Sequence, residues 1–554
     1  MSKIMSTSSF DVPQSWLIAA HASLGRVQNW RHDELPEDWA RQGFYILITI
    51  LLAYHISLSI YRIFFHPLAN IPGPKLAALS YWPEVYYDVF QGGQFFRAID
   101  EMHRVYGPIV RVNPDEVHFD DPEIIDTIFP GAGRRTNKPP VVAKRTGTPD
   151  SMVATVDHDL HRRRRNAANA FFSTASIRRL EPIMKEHMAK LLARMEQLGK
   201  SSKSGHVVQM HHMFKAATSD VITTYAFGDS FHFLDREDYG APYFDATDRF
   251  FGLTHIFGHF TWISDLVQSL PMWAVAAVAP SLRELSKKQS WWIDKVREIR
   301  TSPNPERIKS TIFEGLLSNE SLPDEDKTDA RLAAEAQLVV FAGEGTTAYT
   351  LSAAVYELLA HPAELQKLRE ELIRAIPDPN KIPSFSQVDG LPYFNAIVQE
   401  VVRLHPGVMN RQPRISPDLP INYRDPRSGR EYVLPPGTLT TMSPLTTHMK
   451  AEVFDDPYEF RPQRWIDNPK IARAFLGFSR GSRSCLGMNL ARKEMAIVLA
   501  SLFRKYDLYR GQEDGGPTLE LYDTLRARDI DPNSDKIIPV PARGSKGLRV
   551  RIRN

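Results

Sequence analysis

The sequence predicts a mainly α-helical fold with small β-sheets, preceded by one transmembrane helix. Three observations predict it. Ile177–Leu198 and Asp329–Ile376 carry apolar residues at helical spacing. Short extended runs bounded by turn residues lie elsewhere in the chain. Near the N-terminus, Gly43–Tyr61 (GFYILITILLAYHISLSIY) contains no Asp, Glu, Lys or Arg.

Residues 1–42 form an N-terminal extension to which no role is assigned. The transmembrane anchor is placed at 43–65, since a span needs ~20 apolar residues. Tyr45, Tyr61 and Arg62 suit the interfaces. A buried core helix is the alternative, but no comparable apolar stretch precedes the run to pack against it. Arg26, Arg31 and Arg41 on one side and Arg62 and Lys75 on the other leave the orientation undecided by charge. Residues 66–76 read as a stiff hinge, because Pro67, Pro72 and Pro74 exclude regular helix. The remainder, 77–554, reads as one large domain. Within it, Pro108–Phe119 reads as a hairpin with Asn113-Pro114 at the turn. Glu431–Leu434 and Leu548–Ile552 read as strands. Gly131–Asp150 and Gly511–Pro541 are loop-like by composition.

Bulk properties narrow the function. The 554 residues are 43% hydrophobic and 24% charged, with a formal net charge of +3. That excess is too small to suggest a nucleic-acid partner. The chain has 1 cysteine, so no intrachain disulfide and no Cys-rich zinc cluster is possible. A lone cysteine is usually a small buried hydrophobe. Its neighbours overturn that reading.

Cys485 lies in FSRGSRSCLG, Phe478–Gly487. Gly481 and Gly487 let backbone approach a large flat ligand where a Cβ would collide. Backbone N–H groups of such a loop can point at a sulfur, and Arg483 offers a fixed positive charge. The amphipathic stretch MNLARKEMAIVLASLFRKY follows, so the thiol sits just before a helix N-terminus, where the dipole lowers its pKa. Phe478, Gly481, Arg483, Cys485 and Gly487 match the haem-binding signature FxxGxRxCxG, and the sequence resembles the cytochrome P450 family. The resemblance runs from about His66 to the C-terminus. It implies the P450 fold, a haem (iron protoporphyrin IX) cofactor and Cys485 as its metal ligand. Phe478 and Gly487 would shape the cofactor-binding loop. A cysteine nucleophile is the chemical rival, but no local signature of a partnering His accompanies it.

Other constellations add to this reading. Glu400 and Arg403, three apart on a helix, share a face and can pair. A buried Arg needs more than one acceptor. The family places a further Arg from a downstream segment there. Arg464 in Phe460-Arg461-Pro462-Gln463-Arg464-Trp465 fills that position, with Gln463 where the family has an acid. These residues read as a structural network behind the haem. In FAGEGTTAYTLSAAVYELL, Gly343 and Gly345 each disfavour a helix interior by ~1 kcal/mol, which makes sense if a ligand comes close to the backbone. By resemblance, Thr346 is the threonine that takes part in proton delivery, and Thr347 is its neighbour. Gly345 occupies the family's acid position. Glu344 stands one residue earlier, ~100° around the helix, and either acts there through water or a local helix distortion or faces elsewhere. The resemblance also assigns haem-propionate contacts to His161, Arg165 and Arg483, with Phe172 seven residues after Arg165. Arg414 resembles another such position. Arg162–Arg164 read as surface or partner-facing.

The implied function is a monooxygenase that inserts one oxygen atom of O2 into a lipophilic small molecule. No GxGxxG follows a strand, so electrons would come from NADPH through a separate cytochrome P450 reductase. YRIFFHPLANIPGPKLAAL resembles fungal microsomal members. This implies an endoplasmic-reticulum membrane anchor, a cytosolic catalytic domain, and a terpenoid, polyketide or fatty-acid substrate. The regions Gly131–Asp150, Phe214–Pro280 and Gly407–Pro413 would shape the pocket. Phe250, Phe251, Phe257, Phe260 and Trp262 make the second of them aromatic. Gly345 keeps open a P450-fold isomerase or dehydratase acting on a peroxide. A non-enzymatic haem carrier is the third reading.

Overall fold

The computed structural model describes residues 37–201, 205–280, 283–301, 311–512 and 516–553. Most of the N-terminal extension lies outside the described residues. The chain divides into two compact units, one ending at His66 and one beginning at Pro67.

In the first unit, α1 (Glu37–Ile60) runs into a π-helical turn, Tyr61–Phe65. The helix is long and apolar enough to cross a membrane, and its apolar window has no buried residue. Asp329–Ala360 also has the length and composition of a span, but two-thirds of its window is buried inside the protein, which marks a core helix.

In the second unit the hinge sequence is held by packing. Leu68 and Ile71 are buried. The carbonyl of Pro72 accepts from the Arg111 N–H at 2.7 Å. A Cβ on Gly73 would lie 2.5 Å from the Arg111 carbonyl oxygen, so only glycine allows this approach. The predicted hairpin forms as β1 (Ile109–Asn113) and β2 (Glu116–Phe119), with Pro114-Asp115 at its tip. With β3 (Gln412–Ile415) and β4 (Leu439–Met442) it makes a four-stranded sheet in the order β1-β2-β4-β3. The expected strand at Glu431–Leu434 pairs with Ile421–Arg424, and the one near the C-terminus spans Arg549–Arg553.

Both long helical patterns are interrupted. Ile177–Leu198 divides into Thr174–Arg179 and Glu181–Lys200, and Asp329–Ile376 divides into Asp329–Ala360 and Pro362–Ala375. Pro182 and Pro362 lie in the first turns of the later helices. There a missing N–H is harmless, whereas inside a continuous helix it breaks the ladder. The apolar periodicity runs on across both breaks, which hides them. Two segments expected as loops contain structure: a short helix at Val141–Arg145, and between Gly511 and Pro541 the strands Thr518–Leu521, Ser534–Lys536 and Ile538–Val540.

The helices that position the site are α2 (His158–Asn169), α3 (Met210–Phe227), α4 (Ala241–Gly252), α5 (Arg283–Thr301), α6 (Asp329–Ala360), α7 (Pro392–Leu404) and α8 (Met488–Lys505). α6 packs along α3, α5, α7 and α8. Its buried Leu332, Ala336, Val340, Leu351 and Val355 belong to the main core.

Candidate functional site

The cysteine loop is closed by its own backbone. The Cys485 N–H donates to the Phe478 carbonyl at 2.8 Å, and the Ser482 N–H to the Pro130 carbonyl at 3.0 Å. Gly481 has φ +70°, and a Cβ there would lie 2.3 Å from the Pro130 oxygen. Its glycine is therefore required by the seat on Phe129–Pro130, not by a ligand as the sequence suggested. Gly487 matches the expectation better, since a Cβ there would meet no protein atom within 4 Å. Cys485 keeps accessible surface, yet protein surrounds it closely enough that burial raises its thiol above the ordinary value. The Gly487 N–H and the Arg165 charge oppose this but do not outweigh it. The expected lowering is thus reversed in the protein alone; a cation bound at sulfur would favour the thiolate.

Beside the loop lies a set of cations, of which Arg414 and Arg483 are buried and Arg165 and Lys138 half-buried. Arg483 donates to the carbonyls of Thr155 (2.6 Å), Val156 (2.9 Å), Asp157 (3.1 Å) and Thr136 (3.2 Å). Its Nε is buried without a partner. Arg414 donates to the Pro413 carbonyl at 2.8 Å and to Ser479 Oγ at 3.1 Å. Arg165 on α2 donates to the Ser484 carbonyl at 2.7 Å, and Lys138 to the Val153 carbonyl at 2.8 Å. Among the described residues, none of these four forms an ion pair with a carboxylate. Burial, reinforced by Arg483, lowers Arg414 to about 9. Burial lowers Arg483 to about 10, with Arg165 adding to the effect. Lys138 is held well below its usual range by burial and by Arg414, Arg483 and Arg165. His161 is pushed down to about 2 by burial and the same cations. Uncompensated buried cations are unfavourable, and an anionic ligand relieves them. The residues therefore fit a flat group carrying two carboxylates, set against Cys485.

Sequence reasoning missed Lys138, because nothing in its loop marks it as half-buried. Arg163 is exposed, in line with the surface reading, while Arg164 is half-buried; both pair with the buried Asp326, at 2.8 Å each. Arg162 is exposed. Phe172 is buried beside Tyr225, their ring centroids 6.2 Å apart.

α6 separates the residues that sequence had grouped. Thr346 Oγ1 donates to the Ala342 carbonyl at 2.9 Å. Gly407 passes so close that a Cβ on it would lie 2.9 Å from Thr346 Cβ. Glu344 faces elsewhere. Its carboxylate accepts from Ser219 Oγ on α3 at 2.9 Å and from the Tyr243 hydroxyl on α4 at 3.2 Å. Thr347 is buried, and its hydroxyl acts on the Glu494 carboxyl of α8, which burial raises well above the usual value. Gly343 is explained by packing, since a Cβ would lie 2.9 Å from Ile222, whereas a Cβ on Gly345 would meet nothing within 4 Å.

Glu400 and Arg403 are fully buried and form a two-pronged pair, both contacts at 2.8 Å. Arg464 Nε joins at 3.1 Å. The Trp465 indole N–H (2.8 Å) and the Arg461 backbone N–H (3.0 Å) complete the set of donors to Glu400. Arg403 also donates to the carbonyls of Pro457 (2.6 Å) and His448 (3.0 Å). Phe250 and Phe251 of α4 pack on Phe341 of α6, with centroids 6.2 and 5.5 Å apart. Trp262 is instead 64% exposed.

Comparison with known proteins agrees with this geometry. The sequence model of the cytochrome P450 family matches residues 72–522. Cytochrome P450 monooxygenase tpcC of Cochliobolus heterostrophus is 38% identical over 514 residues, 91% of this chain and 97% of the relative. Cytochrome P450 monooxygenase astB of Talaromyces wortmannii is 36% identical over 521 residues, 92% and 97% of the two chains. Tryptophan 6-hydroxylase fscE of Fusarium equiseti is 35% identical over 518 residues, again 92% and 97%. A family match across most of the chain, relatives aligned along nearly their full length, and a mainly helical fold with small sheets lead to one conclusion: the chain belongs to the cytochrome P450 family and is a monooxygenase-type oxidoreductase.

Proposed function

We propose that the chain holds haem through Cys485 and uses it to oxygenate a lipophilic secondary metabolite of terpenoid or polyketide type. Electrons come from NADPH through a separate reductase at the endoplasmic-reticulum membrane. The observation that carries this reading is the pairing of Cys485 with four cations, buried Arg414 and Arg483 and half-buried Lys138 and Arg165, that lack carboxylate partners among the described residues. Haem, when bound, supplies oxygen activation, and a thiolate ligand favours O–O cleavage. The residues of the chain do the rest. The Gly487 N–H and Arg165 stabilise negative charge on sulfur. Arg414, Arg483, Arg165 and Lys138 bind carboxylates, and neutral His161 adds a ring N–H. Thr346 presents a hydroxyl for proton transfer on the face that Gly407 approaches. Phe250, Phe251 and Phe341 supply an apolar wall that excludes water. The apolar helix at the N-terminus supports membrane attachment, which suits a lipophilic substrate.

The test is isotopic. The chain is expressed with a fungal reductase in a host that makes candidate terpenoid and polyketide precursors, under 18O2. One 18O atom in a new product, dependent on the reductase, is expected. A new product free of 18O and indifferent to the reductase would replace this reading with an isomerase or dehydratase.

A further inference from the structure

The one acid in the Thr346 turn of α6 is turned into a junction of three helices. Glu344 is 2% exposed. On α3, Ser219 Oγ donates to its Oε2, and Thr218 Oγ1 donates to its backbone carbonyl at 3.0 Å. On α4, the Tyr243 hydroxyl reaches both carboxylate oxygens at 3.2 and 3.3 Å. A second tie joins α3 to α4: buried Lys215 donates to both oxygens of Asp248, at 2.8 and 2.9 Å. α4 also carries Phe250 and Phe251, which rest on Phe341, five residues before Thr346 on α6. α4 and the helix that bears Thr346 are thus joined through the Glu344 carboxyl group.

We infer that Glu344 is a positioning residue, not part of proton delivery: it fixes the helix Ala241–Gly252 to the helix bearing Thr346. This rests on the proposed oxygenase reading and deepens it. The groups facing Glu344 are Ser219 and Lys215 from α3, Tyr243 and Asp248 from α4, and Lys288 from α5. Burial, opposed by Ser219, Lys215 and Tyr243, raises the carboxyl to about 7. The sign of the linkage follows. The buried junction binds a proton more tightly than a water-exposed one would. It is therefore favoured below about 7 and weakened as pH rises through that value. A glutamine, always neutral and of equal size, removes the dependence.

The experiment uses the full-length holoenzyme in detergent micelles. Amide hydrogen exchange of residues 241–252 is followed at pH 6 and pH 8, corrected for intrinsic exchange rates. In the parent, protection is expected to fall several-fold at pH 8. In Glu344→Gln the same segment is expected to keep equal protection at both pH values. Tyr243→Phe is expected to lower protection of 241–252 at pH 6 while leaving that of α8 unchanged. A parent profile that persists in Glu344→Gln would overturn the inference. So would peroxide released per NADPH in Glu344→Gln matching that of Thr346→Ala, since that would put the carboxyl at the oxygen site. The carbon monoxide spectrum of each variant, recorded in parallel, reports failure of the haem-thiolate reading separately.

Discussion

At the residue scale, the cysteine loop was legible because its determinants are neighbours in the chain. Cys485, Arg483 and Gly487 lie within four positions of one another, and short-range spacing carries the chemistry. The cation set was legible only in part. Arg165 and Arg414 came from resemblance, and Lys138 was missed, because the cations it faces, Arg414 and Arg483, are distant in sequence from its loop. Replacing Lys138 by Met, or Arg414 by Leu, removes a donor to a charged group, a change of about 1.5–3 kcal/mol. Haem loss to a scavenging globin is expected to quicken by ~10–100-fold in each. Parent-like loss in both would separate these residues from the cofactor. Thr346 was placed correctly on a helix, but its relation to Glu344 was not readable, since a ~100° step decides the face and the facing helices do not appear in local sequence. Thr346→Ala is expected to release several-fold more peroxide per NADPH with substrate and reductase present. Unchanged coupling would remove the hydroxyl from proton delivery.

At the element scale, the pair on α7 was visible as an i,i+3 spacing, and Arg464 from its segment. Trp465 and the Arg461 N–H were not, because backbone and indole donors carry no spacing signal. Glu400 accepts five contacts in a fully buried site, so truncating it strands Arg403 and Arg464. Glu400→Ala is expected to destabilise the protein by about 3–5 kcal/mol in urea unfolding, enough to prevent accumulation of folded protein. A smaller change would mean that the network contributes geometry more than stability. The first sheet contains a second device. His103 Nδ1 lies 2.8 Å from the Gly107 carbonyl and so carries a proton. His103 Nε2 then accepts from His118 Nδ1 at 2.7 Å, and His118 Nε2 from Ser443 Oγ at 3.0 Å. Both rings are neutral in this chain. Burial lowers His103 to about 4 from 6.5. A depressed histidine gives stability that is present above pH 6.5 and lost as pH falls towards 4. On the order of 3 kcal/mol is at stake. His103→Gln is expected to flatten the fall of stability over that range, and an unchanged slope would assign the loss to other groups.

At the scale of the whole molecule, helical class, the apolar N-terminal helix and small sheets were readable because apolar periodicity and a charge-free run are strong signals. The helix breaks at Leu180 and His361 were not, since the apolar pattern runs through them. The short strands near Lys536 were hidden by loop-like composition. The unit from Pro67 has its own cores, from Leu68 to Ile552. A chain lacking residues 1–66 is therefore expected to stay in solution without detergent and to keep the parent spectrum. A continued need for detergent would locate membrane contact in the catalytic unit as well. The central claim, haem held by Cys485, is tested most directly by the absorption spectrum of the reduced full-length protein with carbon monoxide, beside Cys485→Ala. A strongly red-shifted Soret band in the parent, absent from the variant, is the predicted result. An unshifted, histidine-like band in the parent, or the same spectrum in both proteins, would contradict the account.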